Sequence, residues 1–176
     1  MLHLATKMHQ LDFAQLMAVY VDGNAENGKE LYPHLSDAEQ ILRAEQAFYQ
    51  YLTECFFKTP QAFYAIWMEN GEYLCALRLE PYEDGLLLAA LETAPHARGQ
   101  GWATKLIQAV QRVFPQKIYS HVGKRNAASL AVHRKCGFSQ AQDYARYLDG
   151  SVARNAYTLL FAPRARSFSA TEQSFS

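Results

Sequence analysis

The sequence predicts an α+β fold in which a mixed, mostly antiparallel sheet of about seven strands is flanked by about four helices. Two patterns carry this. Segments with apolar residues at i, i+3, i+4 and i+7 alternate with short β-branched or aromatic runs of strand length. The runs at 62–68, 72–79 and 86–92 follow one another through turn residues, as a meander does. Size and composition add a third: 176 residues, 49% hydrophobic and 19% charged, suffice for one domain with a full core.

Leu2–Met8 alternates loosely and is expected as the first strand. Phe13, Leu16, Met17 and Tyr20 then share a helical face. Asp22-Gly23-Asn24 has turn chemistry, so residues 22–35 are expected as a loop. Ser36 and Glu39 have capping-box spacing, and Ile41, Phe48, Leu52 and Cys55 give the helix behind them one apolar face that ends before Pro60. Asn70-Gly71 is a two-residue hairpin signal between the first two meander strands. Pro81 and Asp84-Gly85 mark the next turn, and Leu86–Glu92 is apolar enough for a buried strand.

A loop, 95–101, opens a helix whose face is Ala103, Leu106, Ile107, Val110 and Val113, with Pro115 beyond it. Lys117–Val122 alternates as a strand. Asn126–Lys135 is expected as a helix closed by Gly137, a residue suited to a left-handed C-cap. Tyr144–Leu148 and Asn155–Phe161 are expected to pair around Asp149-Gly150. The domain is therefore placed at 1–161. Residues 162–176 are Ser-rich and unpatterned, and are expected to form a flexible tail.

Several function classes are disfavoured at once. The three cysteines (Cys55, Cys75, Cys136) are odd in number and lack paired spacing, which argues against a disulfide framework or a Cys-rich zinc site. The six histidines show no metal-ligand spacing, so no metal is expected. The N-terminus lacks the apolar core of a signal peptide, and no run approaches the ~20 apolar residues of a membrane span. A cytoplasmic protein is expected. The formal net charge is zero, yet residues 1–92 carry five bases and fourteen acids and residues 93–176 twelve bases and three acids. Either the basic half meets a polyanion or the halves attract each other.

The loop after Leu86–Glu92 carries the main chemistry. A strand feeding a glycine-containing turn and a helix start leaves unpaired N–H groups, which with the helix dipole form an anion site. Gly99 and Gly101 let main-chain amides approach phosphate oxygens. The loop has neither the Lys-Ser/Thr of a Walker A sequence nor the third glycine of a dinucleotide fingerprint. Arg98-Gly99-Gln100-Gly101-Trp102-Ala103 instead matches Arg/Gln-x-x-Gly-x-Gly/Ala. Asn126-Ala127-Ala128-Ser129, followed by His133-Arg134-Lys135-Cys136-Gly137-Phe138, matches Asn-x-x-Ala/Ser with Tyr/His-x-Lys-x-Gly-Phe. With both blocks in order and correctly spaced, the chain resembles the GNAT N-acetyltransferase superfamily over roughly residues 2–161.

The resemblance implies a GNAT-like fold and acetyl-CoA as acyl donor. Its pyrophosphate would lie on Arg98, Gly99, Gln100, Gly101, Trp102, Ala103 and Thr104. Its pantetheine arm would lie beside Leu91 and Thr93, in a gap left by a splayed strand, as a ligand adding to a sheet edge. Asn126 and Ser129 would complete the cofactor contacts; Asn126 also suits a helix N-cap. Lys124, Arg125, Arg134 and Lys135 could face phosphates or solvent. His133 stands where many relatives place a tyrosine that protonates the departing sulfur; it could instead pack on the last hairpin. Glu92 is the one carboxylate on its strand, hence a water-relayed base or a strand-end charge. Some relatives place their acid three residues earlier, where this chain has Ala89. His121 and Tyr144 rank lower. Arg78 and Glu80, and Tyr32, Tyr49, Tyr51 and Tyr64, could line an acceptor site or serve the sheet and core.

The expected function is direct transfer of an acetyl group from acetyl-CoA to a primary amine of a small molecule or peptide, with neither nucleic acid nor membrane as partner. The alternatives are a CoA-sensing module of the same fold without turnover, and a nucleotide-binding protein using the same loop.

Overall fold

A computed structural model describes residues 1–163. The segment expected as a tail therefore lies, past Pro163, outside the described residues. The chain starts with β1 (Leu2–Ala5), followed by α1 (Phe13–Val19), α2 (Val21–Leu31) and α3 (Asp37–Glu54). The meander is β2 (Phe63–Glu69), β3 (Glu72–Tyr82) and β4 (Gly85–Thr93). Then come α4 (Trp102–Val113), β5 (Lys117–Gly123) and α5 (Ala127–Lys135). The chain closes with β6 (Ser139–Gln142), β7 (Ala145–Arg146), β8 (Val152–Ala153) and β9 (Ala156–Phe161). Seven strands form one sheet in the order β1-β2-β3-β4-β5-β9-β6, antiparallel except for β4 against β5; β7 and β8 form a separate pair.

Alternation along the strands makes two cores. Leu77, Leu79, Leu86 and Leu88 turn to one face and pack with Leu106, Ile107 and Val110 of α4. Tyr64, Ile66 and Ala76 turn to the other and pack with Leu16 and Val19 of α1 and Leu52 of α3. Each fully buried Leu or Ile contributes about 1.5–3 kcal/mol by leaving water.

Four expectations are corrected. Residues 21–31 form a helix, one of five α-helices among the described residues. Asp22-Gly23-Asn24 is its first turn, and Gly28 sits so near α3 that a Cβ would lie 2.7 Å from the Gln40 carbonyl oxygen. Strand β3 runs through Pro81, which pairs with Leu86 on one side; β2 ends opposite Leu79, so no ladder donor is missing on the other. The exposed polar strand β6, which lacks apolar alternation, covers β9. The turn at Asp149-Gly150 joins β7 to β8, while β9 pairs with β5 and β6.

Two features of β4 position the site. Its parallel pairing with β5 covers only Gly85–Leu88, after which β5 continues along β9 alone. Opposite Leu77 of β3, two β4 residues, Ala90 and Leu91, occupy one register step, a β-bulge in which Ala90 has φ 51°. From Ala89 onward one edge of β4 is therefore open. Ala94 N–H donates to Leu74 O across β3. Since main-chain groups alternate sides, those of Leu91 and Thr93 turn to the open edge.

Candidate active site

The β4–α4 loop is shaped by its glycines and by side chains that hold it. Gly99 and Gly101 have φ of 76° and 82°, in the left-handed region that glycine enters without a Cβ penalty. The first main-chain bond of α4 runs from Lys105 N–H to Gly101 O. Among the described residues, the six consecutive N–H groups from Gly99 to Thr104 have no acceptor in the protein. The Arg98 side chain faces the other way. Its Nε donates to Thr93 O at 3.1 Å and its Nη1 pairs with Asp22 Oδ2 at 2.7 Å, joining the end of β4 to the start of α2. Gln100 accepts from Trp102 Nε1 at 3.2 Å and donates to His96 O at 3.2 Å. Lys105 Nζ lies 4.0 Å from the centroid of the Trp102 ring.

This loop forms one wall of a cleft of about 670 Å³. Leu91, Glu92 and Thr93 line it from β4, and Arg98, Gly99, Gly101, Trp102, Ala103 and Thr104 from the loop and α4. Opposite them α5 contributes Asn126, Ser129 and Lys135, with Ala128, Ala131 and Val132 between. Asn126 is also the N-cap of α5, its Oδ1 accepting from Ser129 N–H at 3.0 Å. Gln100 and His133 do not line the cleft. His133 is 1% exposed; its Nδ1 donates to Ser129 O at 2.8 Å, and its ring meets Phe138 edge-on. Burial holds its pKa below the usual imidazole value despite that bond. Of the other bases considered, Lys124 pairs with Asp143 at 2.9 Å, while Arg125 and Arg134 are exposed.

Glu92 occupies the junction between this cleft and a second cavity of about 240 Å³ between α2, α3 and the sheet. Burial pushes its pKa up to about 7; Arg98 opposes the rise, and Asp22 and Glu26 add to it. The carboxylate packs against Gly23, where a Cβ would collide with Oε1. The second cavity is lined by Tyr20, Gly23, Asn24, Asn27 and Phe48, and by Arg78, Ala90 and Glu92 of the sheet. A third, of about 530 Å³, continues past Arg78 and Ala90 beneath the β7–β8 pair, to Glu80, His121 and Tyr147. Of the aromatic residues considered from sequence, Tyr51 packs on Arg78 and none of Tyr32, Tyr49, Tyr51 and Tyr64 lines these cavities. The lining residues of α2 belong to the segment whose turn chemistry predicts a loop. Their one signal was Asn24 and Asn27, polar residues one helical turn apart.

Among the described residues no cluster of three or more His, Cys, Asp or Glu is placed to hold a metal ion, and no helix is long and apolar enough to cross a membrane.

A model of the acetyltransferase (GNAT) family matches residues 28–138. No curated protein matches the sequence significantly. Among solved structures, the PaiA N-acetyltransferase of Thermoplasma acidophilum in complex with coenzyme A is similar with a TM-score of 0.61 at 12% identity, over 92% of this chain and 99% of that one. The Vibrio cholerae spermidine N-acetyltransferase in complex with CoA and spermine gives 0.56 at 15% identity, over 92% and 95%. The Escherichia coli ribosomal-protein-S18-alanine N-acetyltransferase gives 0.53 at 17% identity, over 99% and 100%.

Proposed function

Since this chain belongs to the GNAT acetyltransferase family, we propose that it transfers an acetyl group from acetyl-CoA directly to a primary amine. The observation that carries the proposal is the run of six N–H groups from Gly99 to Thr104 without an acceptor among the described residues, all but Gln100 belonging to residues that line one cleft with α5 and the end of β4. Such a run suits a diphosphate, because each amide can give a charge-assisted hydrogen bond and no Cβ at Gly99 or Gly101 stands in the way. The helix dipole adds about 0.3–1 kcal/mol. The small side chains of Ala103, Ala128 and Ala131 leave room for a chain between α4 and α5. Lys135, on the same wall, offers a cation for a further phosphate.

Main-chain groups of Leu91 and the N–H of Thr93, whose carbonyl is bonded to Arg98, pair with the amide arm of the donor, and an open-edge N–H near the bulge receives the developing negative charge of the carbonyl oxygen. Acetyl-CoA supplies the thioester, at whose acyl carbon a C–N bond forms as the C–S bond breaks. Glu92, where the two cavities meet, takes the proton of the incoming ammonium, directly or through one water, and releases it to solvent. A carboxyl with pKa about 7 matches this task at neutral pH. His133 is assigned to packing, because its Nδ1 is bonded to Ser129 and its ring lies outside the cleft. The sulfur leaves as a thiolate, whose conjugate acid has a pKa of ~8.5, and takes up the second nitrogen proton through solvent, so no protein acid is needed.

The test is calorimetric titration with CoA, followed by assay of thiol release from acetyl-CoA across a panel of primary amines. Binding with amine-dependent release supports the transferase. Tight binding with no release on any amine supports the sensing module instead, and no heat from CoA overturns both.

A further inference from the structure

Resting on the transferase reading, we infer that the acceptor is an amine that also carries a carboxylate, and that Arg78 is the residue that anchors it. Leu77 and Leu79 point into the core against α4, so Arg78, between them, points to the opposite face of the sheet, where it lines both cavities beyond Glu92. Its guanidinium is fixed against aromatic rings, with Cζ 4.8 Å from the centroid of Tyr51 and 5.8 Å from that of Phe56. Glu80, two residues along on the same face, is near enough for the Arg78 charge to favour its carboxylate against the larger opposing effect of burial, but the two make no ion pair. Among the described residues no carboxylate lies within ion-pair distance, and none of its five donors makes a hydrogen bond in the protein. Its Nε is fully buried and unpartnered.

A guanidinium held rigidly by ring stacking, with its fork free and facing a cavity, is preorganised for a planar bidentate anion. The other end of the same cavity has the opposite character. Glu92 lines it, with Asp22 and Glu26 near enough to affect its titration, and this end faces the donor cleft. In the β3–β4 register Glu92 lies opposite Ala76 and Ala89 opposite Arg78, so the two charged residues are neighbours along one face. An acceptor bearing an ammonium and a carboxylate complements both ends at once. It places its amine at Glu92 and its carboxylate at Arg78. A polyamine would leave Arg78 unpaired and bring a cation towards it.

The experiment compares matched acceptors at saturating acetyl-CoA: free amino acids, their carboxamides, and the amines lacking the carboxyl group. Dipeptides beginning with Asp or Glu are set beside those beginning with Asn or Gln. Wild-type protein is expected to favour carboxylate-bearing members by 30-fold or more in kcat/KM; the dipeptide arm tells whether a free amino acid or an acidic side chain supplies the group. In Arg78→Lys and Arg78→Met, KM for those acceptors is expected to rise at least 30-fold and the preference for acids over carboxamides to disappear, with KM for acetyl-CoA unchanged. Arg78→Lys keeps the stem and charge should Arg78→Met fold poorly. Equal turnover of acids and amides by the wild type overturns the anchor and leaves the transferase standing. If no amine is turned over, calorimetry on CoA-saturated protein decides. Arg78-dependent binding of the carboxylate-bearing amines keeps the anchor while the transferase reading falls, and no binding removes the anchor as well.

Discussion

The Tyr20 hydroxyl donates to the Ala90 carbonyl at 2.6 Å, linking the end of α1 to the β4 bulge across 70 residues of sequence. Ala90 is held at φ 51°, a conformation that costs a non-glycine residue about 1–3 kcal/mol. The bulge breaks the β3 register, and beyond it Leu91, Glu92 and Thr93 line the cleft shared with α4 and α5. Tyr20 is itself buried, and burial pushes its pKa well up, so its proton stays available for this bond. Tyr20→Phe leaves the carbonyl without its donor at a cost of about 1–3 kcal/mol. A fall in Tm of about 3–10 °C is expected by calorimetry. Turnover is expected to fall more than CoA affinity, because the bulge is relaxed while the Gly99–Thr104 amides are untouched.

Glu92 sets the pH profile. Its carboxyl is raised from the ordinary 4.5 to about 7, chiefly by burial. As a base it works deprotonated, so kcat/KM is expected to rise with pH through about 7 and then level off. Stability runs the other way. The folded state holds a proton that the unfolded state has already lost, so this contribution is complete below about 4.5 and disappears as pH rises through about 7. Glu92→Gln is expected to lower kcat by roughly 10²–10⁴-fold, flatten the rate profile, and remove the loss of stability between those pH values. Rates and denaturant midpoints from pH 4 to 9 check both signs. An unchanged rate profile rules out Glu92 as the base.

Gly101 separates the anion site from the fold. A Cβ there meets no protein atom within 4 Å, so Gly101→Ala adds only the strain of an alanine at φ 82°. That strain is about 1–2 kcal/mol. The methyl group lies among the amides proposed for the diphosphate. The expected result is a Kd for CoA at least ~10-fold weaker with near-UV circular dichroism unchanged. Gly137→Ala, a left-handed position outside the cleft, is the control and is expected to leave CoA affinity unaltered.

The cleft at the β4–α4 loop is legible in the sequence because its chemistry is local. Six amides without partners follow from a strand, a glycine-bearing turn and a helix start within one short segment, and Asn126 follows the same logic as an N-cap. Of the cavities proposed for the acceptor, Arg78, Glu80 and Glu92 are legible in the sequence, but the residues from α2 are not, because the local signals there mislead. Gly23 and Gly28 resemble turn formers, yet each marks a close approach, one to the Glu92 carboxylate and the other to the Gln40 main chain. Those contacts join residues far apart in sequence, and helix packing overrides the local preference for a turn. The bulge at Ala90 was hidden for the same reason. Nothing in Leu87-Leu88-Ala89-Ala90-Leu91 distinguishes it from a regular buried strand, and its outward carbonyl is held from α1. Of the charge split between the halves, part is answered by pairs that cross it: Arg98 with Asp22 and Lys117 with Asp84.

His133 tests whether the helix α5 supplies the acid of the reaction. Its Nδ1 donates to Ser129 O, so the proton of the neutral ring sits there and Nε2 carries a lone pair that is buried and unpartnered. A ring in that tautomer has no N–H left to give. Burial lowers its pKa, so below pH 6.5 the folded state binds fewer protons than the unfolded state and stability falls as the solution becomes more acid. His133→Phe keeps the edge-on contact with Phe138, loses the Ser129 bond, and removes the cost of charging a buried ring. The variant is expected to retain turnover within about threefold, with no change in the pH profile above 7, and to lose less stability than wild type between pH 6.5 and 5. A ring that protonates the departing sulfur would behave otherwise: turnover would drop by roughly 10²-fold or more and the pH profile would change. His133→Gln, which keeps a donor for Ser129, is then expected to restore Tm while leaving the rate where His133→Phe has it.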